Sequence, residues 1–249
     1  MRADNGVELR VMPDHETMSR LAADMIAAAA TASPAANIAV PTGNTPLGMF
    51  ADLVGRVERG ELDLSRLHVW CLDEYVGVAP EAPSSLTGLL ASVFLRPARI
   101  DPARVHALPA TDPDVSAAAA RYETALAAGG GLDLAVLGVA ANGHVAYNEP
   151  GATADSRTRV VDLAPASIAG AAAYFGEGVP IPRRALTVGI GTLLEARYLV
   201  LIVSGEAKAE TLRRILREPM TADVPASWLR LAGDRLAIIA DEAAAGRLG

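Results

Sequence analysis

The chain has 249 residues, 51% hydrophobic but only 4% aromatic, with a formal charge of −7. That length fits one large α/β domain or two small ones with an ample core, and the acidic balance argues against a nucleic-acid surface, which needs a clustered basic excess. The lone cysteine, Cys71, rules out an intrachain disulfide and suits a reducing compartment.

The first residues, MRADNGVELRVMPDHE, lack the basic and apolar regions of a signal peptide, so a cytoplasmic location is expected. The longest apolar run, Leu21 to Ala32, contains an acid and is shorter than the roughly 20 residues that cross a bilayer. It is alanine-rich and reads as helix; no membrane span is expected. The first predicted strand is NIAVPTG, 37 to 43, and leaves no room ahead of it for a DNA-binding module. The loop PTGNTP follows, 41 to 46. Gly43 permits close backbone approach, Thr42 and Thr45 offer hydroxyls, and Pro46 suits a first helical turn whose free N–H groups attract an anion. An ordinary turn with an N-cap explains the same residues.

TPLGMFADLVGRVERG has apolar residues at helical spacing. The next strand, LHVWCLDEY (67 to 75), ends in Asp73 and Glu74. Adjacent strand residues point to opposite faces, so at most one of the two acids faces a crevice as a general base; the other reading is a helix cap or loop acid. A third strand, DLAVLGV (133 to 139), runs into Asn142, His144 and Glu149. His144 follows Gly143 on a tight turn, with two polar neighbours in reach to orient an imidazole for acid/base work. A tetrahedral metal site would lack ligands there, because no second histidine or cysteine is near. YLVLIVSG (198 to 205) leads to Lys208, the single lysine among 22 basic residues. An ammonium at a helix N-terminus is unfavourable unless it faces an anion, so Lys208 is assigned to a phosphate. RLAIIAD (235 to 241) is the last strand, after the helical EAKAETLRRILRE.

The chain shows no repeat and no linker, so residues 1–249 read as a single domain. Near-continuous apolar strands alternating with helices predict an α/β, doubly wound, mostly parallel sheet with helices on both faces, Rossmann-like. Its ligands would bind on loops at the strands' carboxyl ends.

PTGNTP, LDEYVG, GHVAYNEPG, SRTR, ALTVGIGTLL and SGEAKA together resemble the successive motifs of the glucosamine-6-phosphate deaminases, in family order from about residue 37 to 210. The Asn-Glu-Pro after Gly-His separates this pattern from the related 6-phosphogluconolactonases. The resemblance implies a cofactor-free, metal-free isomerisation and deamination of glucosamine 6-phosphate to fructose 6-phosphate and ammonia, by a monomer or small homo-oligomer. Asp73 would move a proton between C2 and C1, and His144, oriented by Glu149 and Asn142, would assist ring opening. Thr42, Gly43, Asn44, Thr45 and Lys208 would hold the phosphate. A galactosamine 6-phosphate deaminase, a lactone hydrolase and a non-catalytic sugar-phosphate sensor are the alternatives.

Three positions depart from the family pattern. Asn142 stands where aspartate is common. The lid segment AGAAAYFGEG (169 to 178) has no arginine near Ala173, a loss that Arg183 or Arg184 would have to make good. Val161 replaces a basic effector-binding residue that follows SRTR, which implies an unregulated enzyme although Arg159 remains; Arg157 reads as a sheet-edge residue paired with an acid.

Overall fold

The computed structural model describes residues 6–175 and 178–249. In chain order the elements are β1 (Glu8–Met12), α1 (His15–Ala32), β2 (Asn37–Val40), α2 (Leu47–Glu58), β3 (His68–Cys71), β4 (Asp73–Tyr75), α3 (Leu86–Leu90), β5 (Val105–His106), α4 (Val115–Ala128) and β6 (Leu134–Gly138). Then come β7 (Arg159–Asp162), α5 (Pro165–Ala171), β8 (Arg184–Thr187), α6 (Ile190–Leu194), β9 (Tyr198–Val203), α7 (Ala209–Arg217), β10 (Leu236–Asp241) and α8 (Glu242–Ala245). None of the described helices is long and apolar enough to cross a membrane.

Seven strands form one sheet in the order β1-β10-β9-β6-β2-β3-β5, every neighbouring pair parallel. Its central strands are apolar on both faces because both are covered. In β9, Leu199, Leu201 and Val203 enter one core with Tyr122 and Leu126 of α4 and Leu212 of α7. Val200 and Ile202 enter the opposite core with Ile26 of α1 and Phe50 of α2. The predicted doubly wound sheet is therefore present, and a second, antiparallel sheet, β4-β8-β7, stands beside it.

Two expectations are corrected. The chain's first strand begins at Glu8 rather than near residue 37. It lies on the sheet edge, where Glu8 and Arg10 pair with each other at 2.9 Å, and such edge charges break the apolar run that marks a buried strand. The stretch 67 to 75 is two strands, because Leu72 ends the parallel ladder and Asp73–Tyr75 pairs with β8 in the other sheet. That break turns Asp73 away from the layered core.

The chain leaves β2 through α2 toward β3 in one direction along the sheet, and leaves β6 toward β9 in the other. Neighbouring strands whose connections diverge leave a crevice at their carboxyl ends. The loops after β2 and β6 flank it.

Candidate active site

A cavity of about 710 Å³ opens at that crevice. The loop after β2 contributes Thr42, Gly43, Asn44 and Thr45; the start of β4 contributes Asp73; the loop after β6 contributes His144 and Tyr147; the segment after β9 contributes Ser204 and Lys208. Four separate segments thus bring together the residues that sequence reading selected, except Asn142 and Glu149, which stand behind His144.

Asp73 is 9% exposed. Burial, reinforced by the neighbouring Glu74 charge, pushes its carboxyl up to about 7. Glu74 points the other way, as strand alternation requires. It is fully buried and accepts hydrogen bonds from Ser85 Oγ (2.7 Å), Thr87 N (3.0 Å) and Leu86 N (3.1 Å) at the start of α3. One acid faces the cavity and the other caps a helix.

Gly143 shapes the turn that presents His144. Its φ is +88°, and a Cβ there would lie 2.8 Å from Val224 Cγ1, so both backbone conformation and space demand glycine. His144 Nδ1 lies 3.1 Å from Glu149 Oε2. Burial would raise the Glu149 carboxyl, but the hydrogen bonds it accepts, from His144 first and also from the Ala164 N–H, outweigh it and hold the pKa down to about 2. A carboxylate only accepts, so the imidazole donates through Nδ1–H and its Nε2 is left free as a proton acceptor.

Asn142 orients His144 indirectly. It does not bond the ring: its Oδ1 accepts the His144 backbone N–H at 3.1 Å, and its Nδ2 donates to Glu149 Oε2 at 2.9 Å. It therefore fixes the carboxylate that fixes the imidazole. An aspartate here would lack that donor and place a second negative charge beside Glu149.

At the opposite end of the cavity, Lys208 Nζ donates to Thr45 Oγ1 at 3.0 Å. Burial pushes the Lys208 ammonium down from its ordinary range, and Asp241 opposes that shift. Asp241 also organises this loop, accepting from Ser204 Oγ and from Gly205 N at 3.1 Å. With the start of α2 adjoining Thr45, hydroxyls, backbone N–H groups and one ammonium converge on a space suited to an anion.

Neither Arg183 nor Arg184 lines the cavity; both are exposed. From the lid segment, Gly170 and Tyr174 face it instead; Gly176 and Glu177 lie outside the described residues. Arg157 pairs with Glu195 at 2.5 Å and Glu123 at 2.7 Å, the structural reading of SRTR. Sequence reading missed His15, Tyr147, Tyr174 and Ser204 on the cavity wall, and Ser167 and Asp241 behind it. His15 precedes every strand that reading recognised, while the others are common residue types with no special spacing.

Against known families, residues 13–238 match the model for glucosamine-6-phosphate isomerases and 6-phosphogluconolactonases. The chain belongs to this family. Within it, a protein of Rhodopirellula baltica named glucosamine-6-phosphate deaminase is 42% identical over 98% of this chain and 97% of its own. Glucosamine-6-phosphate deaminase 2 of Bacillus subtilis is 34% identical over 97% of this chain and 98% of its own. A solved structure described as a monomeric glucosamine-6-phosphate deaminase superposes with a TM-score of 0.92 at 31% identity, covering 96% of this chain and 99% of that one. A solved structure described as a 6-phosphogluconolactonase from Trypanosoma cruzi shares the fold at TM-score 0.78 and 22% identity, covering 100% of this chain and 98% of that one.

Proposed function

We propose that the chain is a glucosamine-6-phosphate deaminase, converting glucosamine 6-phosphate to fructose 6-phosphate and ammonia in amino-sugar catabolism. The observation that carries this reading is a single cavity holding two separate proton-handling groups, Asp73 and the His144–Glu149 pair, beside an anion-binding end at Thr45 and Lys208. An aldose-to-ketose shift needs this division. One group opens the sugar ring, and another carries a proton between adjacent carbons.

In the proposed sequence the phosphate docks between Thr42–Thr45 and Lys208. His144 Nε2, freed for proton transfer by the Nδ1–H bond to Glu149, takes the C1 hydroxyl proton and returns it to the ring oxygen as the ring opens. Asp73 then removes the C2 proton and delivers it to C1 through an enolamine, while O1 gains the proton that the amine nitrogen gives up. Water adds to the resulting C2 imine, and ammonia leaves. A base serves best when its pKa lies near the working pH, and burial places Asp73 at about 7. The 34–42% identities to proteins named as deaminases favour this substrate over a sugar lactone. The proposal includes a monomer working in the cytoplasm as one domain.

The test is ammonia release from glucosamine 6-phosphate, run beside galactosamine 6-phosphate, 6-phosphogluconolactone and unphosphorylated glucosamine. Release from glucosamine 6-phosphate, with weak turnover of the other three, is the expected outcome. Preference for galactosamine 6-phosphate or the lactone would replace the assigned substrate, and silence toward all four would remove the catalytic reading.

A further inference from the structure

His15 is the first residue of α1, yet its imidazole lines the cavity beside the loop that follows β2. Its Nε2 lies 2.9 Å from the Thr45 carbonyl oxygen. A carbonyl only accepts, so the ring donates through Nε2–H. The same Thr45 carries the hydroxyl that accepts from Lys208 Nζ at 3.0 Å. Thr45 is thus held on both sides, by His15 through its main chain and by Lys208 through its side chain.

The placement of His15 is built in by close packing of α1 on the start of α2. Gly48 makes the approach possible. A Cβ there would lie 2.6 Å from Ser19 Oγ and 3.0 Å from His15 Cε1. The helices are pressed so closely that Ser19 Oγ is buried with no hydrogen-bond partner among the described residues. A buried hydroxyl without a partner is unfavourable, and it is tolerated here where the close packing seats the imidazole over Thr45.

The described cavity wall carries six titratable side chains, His15, Asp73, His144, Tyr147, Tyr174 and Lys208, of which Lys208 is the one ammonium. Asp73 and His144 belong to the proton-handling side. The anion side therefore depends on Lys208, on hydroxyls and on a backbone loop whose shape must be fixed before the ligand arrives. Neither Arg183 nor Arg184 lines this wall.

We infer that His15 is a positioning residue of the phosphate site, acting through its Nε2–H bond to the Thr45 carbonyl to hold the 42–45 loop in its anion-binding shape. This inference rests on the proposed deaminase reading for its substrate, while its binding arm stands apart from turnover. The groups around the ring are Asp14, which precedes it and is engaged with Thr17 at 2.8 Å, Lys208 across Thr45, and Asp241 at the end of β10. Phosphate binding is a ground-state interaction shared with the transition state, so its loss falls on KM rather than kcat.

The experiment compares His15→Gln with His15→Asn. The glutamine amide reaches about as far as the imidazole Nε2 and can still donate to Thr45, whereas the shorter asparagine amide matches Nδ1 and cannot. KM and kcat for glucosamine 6-phosphate, and the Kd of inorganic phosphate by calorimetry, are measured for both variants and wild type. His15→Asn is expected to weaken KM and phosphate Kd together, about three- to tenfold, the effect of one lost neutral hydrogen bond, with kcat within twofold. His15→Gln is expected to restore most of the loss. Equal behaviour of the two variants, whether both intact or both impaired, would overturn the inference, as would a fall in kcat at constant KM. If wild type binds phosphate but releases no ammonia, the deaminase reading fails, and the phosphate Kd alone still decides the role of His15.

Discussion

Asp73 and Glu74 carry the same chemical group on consecutive residues, and their different surroundings assign them different work. Glu74 is surrounded by donors at the start of α3, while Asp73 faces the cavity with its carboxyl raised to about 7 by burial and by Glu74. The sign of the stability effect follows. A raised folded-state pKa means the native protein holds a proton that the unfolded chain has released, so this favourable contribution is complete below the unfolded value of 3.8. It is lost as pH rises through about 7. Asp73→Asn should therefore abolish turnover while raising the thermal midpoint relative to wild type at pH 8.5, with the gap narrower at pH 5 and closed only below the unfolded value of 3.8. Calorimetry at the two pH values checks the second part; retained turnover would remove Asp73 from its role. For wild type, kcat/KM should climb through about pH 7 as the base ionises. Glu149→Gln tests the partner group. Glutamine has one acceptor oxygen where Glu149 uses both, Oε2 for His144 and Asn142 and Oε1 for Ala164 N at 3.1 Å. The imidazole loses its fixed tautomer, and kcat should drop by roughly 10²- to 10⁴-fold, as expected for a misdirected general base, with phosphate affinity retained.

The elements that sequence reading found are those whose local pattern and tertiary environment agree. Strands β2, β3, β6, β9 and β10 are apolar on both sides because they lie inside the sheet, and the loops they feed carried Thr42, Asp73, His144 and Lys208. Strand β1 was hidden by its edge charges, and β7 by its half-exposed residues and antiparallel setting. Nor could Asn142's true partner be read: spacing brings it close to His144, but only the fold of the loop shows its amide turned to Glu149. The ALTVGIGTLL motif has a physical explanation at this scale. Gly189, at the start of α6, lies under the 155–157 loop, and a Cβ there would come within 2.1 Å of the Ser156 carbonyl oxygen. That loop is anchored by Gly191 N to Ser156 O at 2.8 Å and Ile190 N to Ser156 Oγ at 3.0 Å. Gly189→Ala must push backbone from backbone, and is expected to cost about 3 kcal/mol or more. For a chain of this size that is a fall of roughly 6–12 °C in Tm, measurable by scanning calorimetry; a shift below 2 °C would mean that the loop yields freely.

At the scale of the molecule, the question is whether this cavity responds to copies of itself or to a second sugar phosphate. Cooperativity requires a free energy of coupling between two sites and a structural element that both bias. The described cavity wall brings the proton-handling groups and the anion-binding end together from one chain. The arginines of SRTR, the natural candidates for an effector's phosphate, are already engaged. Arg157 is shared between Glu195 and Glu123, and Arg159 donates to Asn148 Oδ1 at 2.9 Å and to the Arg157 carbonyl at 3.1 Å. Val161, paired with Ala185 in the antiparallel sheet, adds no charge. An effector would have to break the Glu123 knot, which also ties Thr192 Oγ1 at 2.6 Å and Thr158 N at 2.7 Å, before gaining any contact. Saturation by glucosamine 6-phosphate should accordingly be hyperbolic, with a Hill coefficient of about 1. N-acetylglucosamine 6-phosphate should change KM by less than about twofold, since a ligand without differential affinity for two states shifts neither. Initial-rate kinetics with and without the acetylated sugar, alongside light scattering, makes the test. A sigmoidal curve that the effector straightens would show that Arg157 leaves its acids when ligand arrives, and that the knot around Glu123 is the bistable element rather than a fixed brace.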